Sequence, residues 1–163
     1  MIIRTAMQQD LQELLAIYNY EVEHTTATMD LTPQTLSQRQ VWFDMHNVDH
    51  HPLISALIDD KVVGYASLST YREKEAYQST VELSIYVHHE YRRRGIASEL
   101  MQAILDLARK DSTIHNVVSV ITAGNDASRR LHEKFGFTFC GTVPHVGVKF
   151  GHYLGIDTYC LIV

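Results

Sequence analysis

The sequence predicts a mixed α/β fold, a central sheet flanked by helices in one domain over residues 1–163. Three observations lead there. A chain of 163 residues suits one domain and is long enough to bury a substantial core. Its apolar residues switch between the period of a strand and that of a helix, with no repeat, low-complexity tract or linker between. The resulting order is β-α-α-β-β-β-α-β-α-β-β. Hairpins come first and a β-α-β-α-β unit last, so antiparallel and parallel pairs must share the sheet.

Ile2 and Ile3 open a short strand. Thr5-x-x-Gln8 has the form of a capping box, and Leu11, Leu14, Leu15 and Tyr18 supply the apolar face of a first helix. Residues 19–29 are polar and read as a helix end and loop. Thr32-Pro33 predicts the next helix start, carrying Leu36, Val41, Trp42 and Phe43, with Trp42 expected as a packing residue. Residues 53–58 and 62–68 are apolar runs either side of Asp59-Asp60-Lys61, a hairpin pattern. A charged loop, 71–77, leads to a strand from Val81. A helix runs to about Lys110 with Ile96, Leu100, Met101, Ile104, Leu105 and Ala108 on one face. Residues 116–121 form a buried strand, and a helix from Asn125 is stopped by Gly136. Residues 137–143 and 159–163 are closing strands, with a glycine-rich loop at 147–155 between them.

Bulk properties narrow the function. A formal charge of −5 argues against a nucleic-acid binder with a basic surface. No run approaches the roughly 18 apolar residues of a membrane span, and the N-terminus lacks the apolar stretch of a signal peptide. Cys140 and Cys160, far apart in apolar strand-like surroundings, are expected to be reduced core residues. The cytoplasm is then the expected compartment. The adjacent pairs His50-His51 and His88-His89 suit chelation poorly, and there is no Cys-x-x-Cys, so no metal is expected.

The chain is organised around residues 81–97. Val81, Leu83, Ile85 and Val87 alternate with Glu82, Ser84 and Tyr86, and after Gly95 the period becomes helical. A loop entering a helix presents unpaired N–H groups within the positive end of the helix dipole. Gly95 and Ala97 let an anion approach the backbone, and Arg92, Arg93 and Arg94 add charge. A phosphate or pyrophosphate site is one reading. A solvated basic turn before an ordinary helix is the other, and the loop alone does not choose. Neither a P-loop nor a Rossmann glycine pattern is present.

Arg92-x-x-Gly95-x-Ala97 resembles the acyl-CoA pyrophosphate loop of the GNAT N-acetyltransferases. The likeness extends over nearly the whole chain and is closest to the phosphinothricin and methionine sulfoximine N-acetyltransferase branch. It is carried by Tyr18-Asn19, Trp42-Phe43, Tyr71-Arg72, Val81-Glu82 with Tyr86-Val87, Asn125-x-x-Ser128-x-x-Leu131-His132, Phe135-Gly136-Phe137 and Lys149-Phe150-Gly151. The resemblance implies the GNAT fold, acetyl-CoA as co-substrate, a small-molecule amine as acceptor, and a homodimer. It implies that the backbone at Ile85, Tyr86 and Val87 pairs with the pantetheine arm. Residues Arg92, Arg93, Arg94, Gly95, Ile96 and Ala97 would hold the pyrophosphate, and Asn125 and Ser128 would bind further along the arm.

The same resemblance makes Glu82 the candidate general base and His132 the candidate acid for the leaving thiolate. On the acceptor side it points to Arg72 and Lys74, with Thr25 and Lys149 completing a pocket for an amino acid analogue. Other readings remain open: acetylation of a protein N-terminus or lysine, a non-catalytic acyl-CoA sensor, or nucleic-acid binding through residues 92–94, which predicts steep salt dependence.

Overall fold

The computed structural model describes residues 1–163. Its elements follow the expected order: β1 (Ile2–Thr5), α1 (Leu11–His24), α2 (Leu36–Asp44), β2 (Leu53–Ile58), β3 (Lys61–Thr70), β4 (Thr80–Val87), α3 (Ile96–Lys110), β5 (Asn116–Thr122), α4 (Asp126–Lys134), β6 (Thr138–Lys149) and β7 (His152–Ile162). The seven strands form one sheet in the order β1-β2-β3-β4-β5-β7-β6. Every neighbouring pair is antiparallel except β4–β5. The mixed sheet read from the sequence is the observed one.

Helices cover both faces. The apolar stripe of α3, Ile96, Leu100, Met101, Ile104, Leu105 and Ala108, is buried against Val63, Ala66, Leu68, Val81 and Leu83. On the other face, Leu14 and Ile17 of α1 pack on Leu53, Leu57, Val62 and Tyr65. Register between β2 and β3 slips at Ala56/Leu57, leaving Val63 unpaired. Such a bulge re-aims side chains. A Cβ on Gly64 would lie 3.1 Å from Leu100 Cδ1 and from the Tyr86 carbonyl oxygen, so a larger residue there would crowd α3 against the sheet.

Several local expectations are corrected. Thr5 ends β1 and makes no capping box; the Met7 N–H is instead bonded by the Asp10 carboxylate (2.9 Å). The second helix starts after Thr35, not Thr32, because Thr35 and Gln38 form a reciprocal capping box. Leu36 and Val41 are exposed, and the buried residue of α2 is Arg39, whose guanidinium lies 3.4 Å from the Trp42 ring centroid. Trp42 is therefore a cation platform as well as a packing residue. No glycine-rich loop separates the last strands. They form one long hairpin turning at Phe150 and Gly151, both at positive φ. Nor are the cysteines core residues: Cys140 is exposed, and its sulfur is 3.1 Å from that of Cys160 across the β6–β7 bulge.

Asp10 ties the first strand to the sheet face. Its carboxylate accepts two hydrogen bonds from Arg4 (2.7 and 2.8 Å) and one from the Ser55 hydroxyl (3.1 Å). Burial disfavours its charge, but the Arg4, Met7 and Ser55 donors outweigh burial and hold the pKa below the usual carboxylate value. A depressed folded-state pKa stabilises the fold above the unfolded pKa and ceases to do so as pH falls through the folded value. Asp10→Asn is expected to cost about 1–3 kcal/mol at pH 7. In urea titrations the gap from the wild type should close below about pH 4.

Candidate active site

The one parallel pairing is short. β4 and β5 meet at Thr80/Asn116, Val81/Val117 and Glu82/Val118, and then separate. Each strand is braced on its outer side: β4 by β3 as far as Val87, and β5 by β7 as far as Thr122. The split is therefore held open by the sheet itself. A cavity of about 930 Å³ fills it, lined by residues 83–87 of β4 and 119–121 of β5. Strand edges facing such a gap offer backbone donors and acceptors to a ligand of matching pattern.

The wide end of the split meets the start of α3. Gly95 is its N-cap, at φ +82, with nothing within 4 Å of where a Cβ would be. Arg93 is also left-handed, at φ +61. Both flank a helix N-terminus, where the first N–H groups lack intrahelical partners, a position suited to anions. Arg92, Arg93, Gly95, Ile96 and Ala97 line the cavity. Arg94 does not: it bonds the Glu90 carbonyl (3.2 Å) and covers the Tyr91 ring. Arg92 pairs with Glu21 at the end of α1. Glu21 is buried and also accepts from the Thr25 hydroxyl (2.6 Å).

α4 forms the far wall. The Asn125 side chain caps it by accepting from the Ser128 N–H (3.1 Å), and both residues line the cavity. His132, one helical turn further, is buried and also lines it. Its Nδ1 lies 2.7 Å from the Ser128 carbonyl and its Nε2 2.7 Å from the Ser119 hydroxyl. Burial lowers its pKa, partly opposed by the Ser128 carbonyl.

Glu82 stands where the split begins. It shares a sheet face with Ser84 and Tyr86, the latter edge-on to Tyr18 at 5.5 Å. The carboxyl is half-buried, and burial alone raises its pKa. Its cross-strand neighbour is Ser69, whose hydroxyl meets Nε2 of the buried His46 (2.8 Å). His46 and His50 have a spacing that ligates metals on a helix, but α2 ends at Asp44 and the His46 ring is committed to Trp42 and Ser69.

The cavity thus gathers Thr25, Ile85, Tyr86, Val87, Arg92, Arg93, Gly95, Ile96, Ala97, Asn125, Ser128 and His132. Glu82, at the apex, is outside its lining, as are Arg94, Arg72, Lys74 and Lys149. Arg72 and Lys74 are exposed; the Arg72 guanidinium lies 5.1 and 5.5 Å from the Tyr71 and Tyr77 ring centroids. Lys149 is buried, donating to the Thr28 carbonyl (2.8 Å), and burial lowers its pKa.

The model of the "Acetyltransferase (GNAT) family" matches residues 9–137. The chain belongs to the GNAT acetyltransferase family. A Pseudomonas aeruginosa relative, an L-methionine sulfoximine/L-methionine sulfone acetyltransferase, is 41% identical over 94% of this chain and 90% of its own. A phosphinothricin N-acetyltransferase of Streptomyces coelicolor is 37% identical over 96% and 93%. Among solved structures, a ribosomal-protein-alanine N-acetyltransferase from Brucella melitensis superposes with a TM-score of 0.96 at 39% identity, covering 100% of both chains. A putative acetyltransferase from Salmonella typhimurium, solved with its cofactor acetyl-CoA, gives 0.95 at 33% identity over 99% and 93%.

Glu21, Ser119, Arg130 and Lys134 also line this GNAT cavity, and no sequence motif marked them. Glu21 carried a signal: it falls on the apolar face of α1, one turn from Ile17 and Tyr18. Ser119, inside a run of valines, carried none. Arg92→Ala leaves the buried Glu21 carboxylate without its ion-pair partner. The expected loss is about 1–3 kcal/mol, read as a lower Tm. In a double-mutant cycle, Glu21→Gln should recover most of it.

Proposed function

We propose that this GNAT protein transfers the acetyl group of acetyl-CoA to the primary amine of a small molecule. The proposed acceptor is an amino acid analogue such as methionine sulfoximine, methionine sulfone or phosphinothricin. The observation that carries the reading is the split between β4 and β5, which runs from a half-buried carboxyl to an anion-binding helix start. An amide-containing arm ending in a pyrophosphate fits such a cleft, since free strand edges match the amides and the N–H groups at residues 95–97 match the phosphates. Acetyl-CoA supplies an activated acetyl thioester there.

In this reading Ile85 and Val87 bond the arm through their backbone, Tyr86 walls it, and Asn125 and Ser128 hold it from α4. Arg92 and Arg93 neutralise phosphate charge, with Arg94 adding to the field. Glu82 takes the proton that an ammonium must lose before its nitrogen can attack. The Ile85 N–H meets negative charge growing on the carbonyl oxygen, and His132 serves the leaving sulfur. Arg72 and Lys74, on the loop at the Glu82 end of the split, attract the carboxylate of the acceptor, and Thr25 and Lys149 close its other side.

The same reading makes the protein cytoplasmic, where acetyl-CoA is supplied, and homodimeric. Phe139, Val143, Val146, Val148, Phe150 and Tyr153 are exposed on the β6–β7 hairpin and offer an apolar surface to a second copy. A second reading, acetylation of a protein N-terminus, is favoured by the name of the Brucella melitensis structure. The sulfoximine and phosphinothricin acetyltransferases among the relatives favour a small acceptor.

Thiol release from acetyl-CoA, measured against methionine sulfoximine, methionine sulfone, phosphinothricin, free amino acids and N-terminal peptides, tests the proposal. Turnover of an amino acid analogue is expected. Turnover of peptides alone would move the function to proteins, and binding without turnover would make the chain a sensor. Glu82→Gln should lower kcat/KM by about 10²–10⁴-fold. Burial raises the Glu82 pKa, so wild-type activity should climb as pH rises through that raised value. The variant should lack this acidic limb.

A further inference from the structure

Resting on that reading, we propose that Ser119 is a catalytic residue, the hydroxyl through which His132 delivers a proton to the departing thiol sulfur. His132 is then a positioning residue and proton source that does not itself touch the sulfur.

The partners of His132 fix its tautomer. A carbonyl oxygen only accepts, so the Nδ1 that lies 2.7 Å from the Ser128 carbonyl carries the hydrogen. In the neutral ring Nε2 is then bare. The Ser119 hydroxyl, 2.7 Å away, must donate to it. Ser119 is buried on β5 and lines the cavity in the split, with only lone pairs left for whatever lies there. A neutral His132 consequently has no proton to give: one is locked to the helix backbone, and Nε2 has none.

Protonating Nε2 reverses the direction of the bond. The imidazolium donates to Ser119 Oγ, and the serine hydrogen must turn away, towards the cavity. The step then balances. The Nε2 proton passes to Ser119 Oγ as the Ser119 hydroxyl proton passes to the thiolate, giving neutral imidazole, an unchanged serine and a thiol. His132 regains its proton from solvent, and the proton lost by the amine leaves through Glu82. Against the imidazole stand Ser119 of β5, the Phe137 ring at 4.9 Å and the Tyr159 ring of β7 at 5.7 Å. Tyr159 is the only other titratable group among them, and burial raises its pKa. No carboxylate or cation contributes to the shift of His132, whose causes are burial and the Ser128 carbonyl.

The same clamp occurs once more. His46 bonds the carbonyl four residues back, Trp42, and meets Ser69 on the sheet, but neither lines the cavity. The clamp at Ser119 is distinguished by its place in the lining of the cavity.

Ser119→Ala and His132→Gln are expected to lower kcat by the same factor, about 10²-fold, with acetyl-CoA binding retained. The double variant should be no worse than either single one. Both should lose the alkaline limb, along which the wild-type rate falls as His132 deprotonates, and Ser119→Thr should restore rate and limb together. Imidazole ¹⁵N spectra of the whole protein, assigned with His132→Gln, should show the hydrogen on Nδ1 at neutral pH whether or not any amine turns over. A wild-type rate in Ser119→Ala with His132→Gln impaired, or a resting hydrogen on Nε2, would overturn the proposal. A wild-type protein that acetylates no amine would end the functional reading and this one with it, whereas an active wild type with an unaffected Ser119→Ala ends this one alone.

Discussion

Three parallel residue pairs hold β4 to β5, and the pairing stops at Glu82 and Val118. A sheet does not normally leave two long edges unpaired beside each other, because exposed strand donors and acceptors invite pairing. Here both edges are kept apart by what lies behind them. β3 follows β4 to its end and β7 follows β5 to its end. α3, pressed close to the sheet over Gly64, fixes the angle at which the chain leaves β4 and re-enters the helix. The cavity is thus a product of strand pairing and not of a loop that must close. Its walls are rigid elements, which is what a site needs if groups are to be held within a fraction of an ångström.

Charge reinforces the same geometry from the other layer. Arg92 leaves the helix-start loop and pairs with Glu21 at the end of α1. Glu21 in turn holds the Thr25 hydroxyl, and its carbonyl lies 3.5 Å from the Lys149 ammonium. The end of α1, the loop before α3 and the end of β6 therefore converge on one residue, Arg92 at its carboxylate and Lys149 at its carbonyl. Burial of the carboxylate is tolerable only with partners at full reach, so the loop before α3 is held against the end of α1.

Much of the fold was legible because periodicity reports burial directly. The 3.6-residue stripe of α3 is intact in the structure, and the alternation in β4 holds at Val81 and Leu83 before Ile85 and Val87 open onto the cavity. What failed were choices among equally good local signals. Thr32-Pro33 and Thr35-x-x-Gln38 both have the form of helix starts, and the reciprocal capping bonds form at the second. The β6–β7 hairpin was hidden because its residues are mostly exposed and its glycines suggested a loop. The backbone loop of the site was legible through Arg92 and Gly95. Ser119 was not, since a serine among valines gives no hint that a histidine from the next helix will meet it. The two cysteines, 20 residues apart in sequence, meet across the β6–β7 pair beside its register slip.

The sheet has two faces, and they are not equivalent. Glu82, Ser84 and Tyr86 look towards α1 and α2, while Ser119 and His132 belong to the layer of α3 and α4. In the proposed mechanism, selection of the amine and handling of the thiol are separated by the thickness of one sheet. Substitutions on the first layer can drift without retuning the second. In that mechanism the partition lets acceptor choice be retuned on one layer while acyl-donor handling is kept on the other.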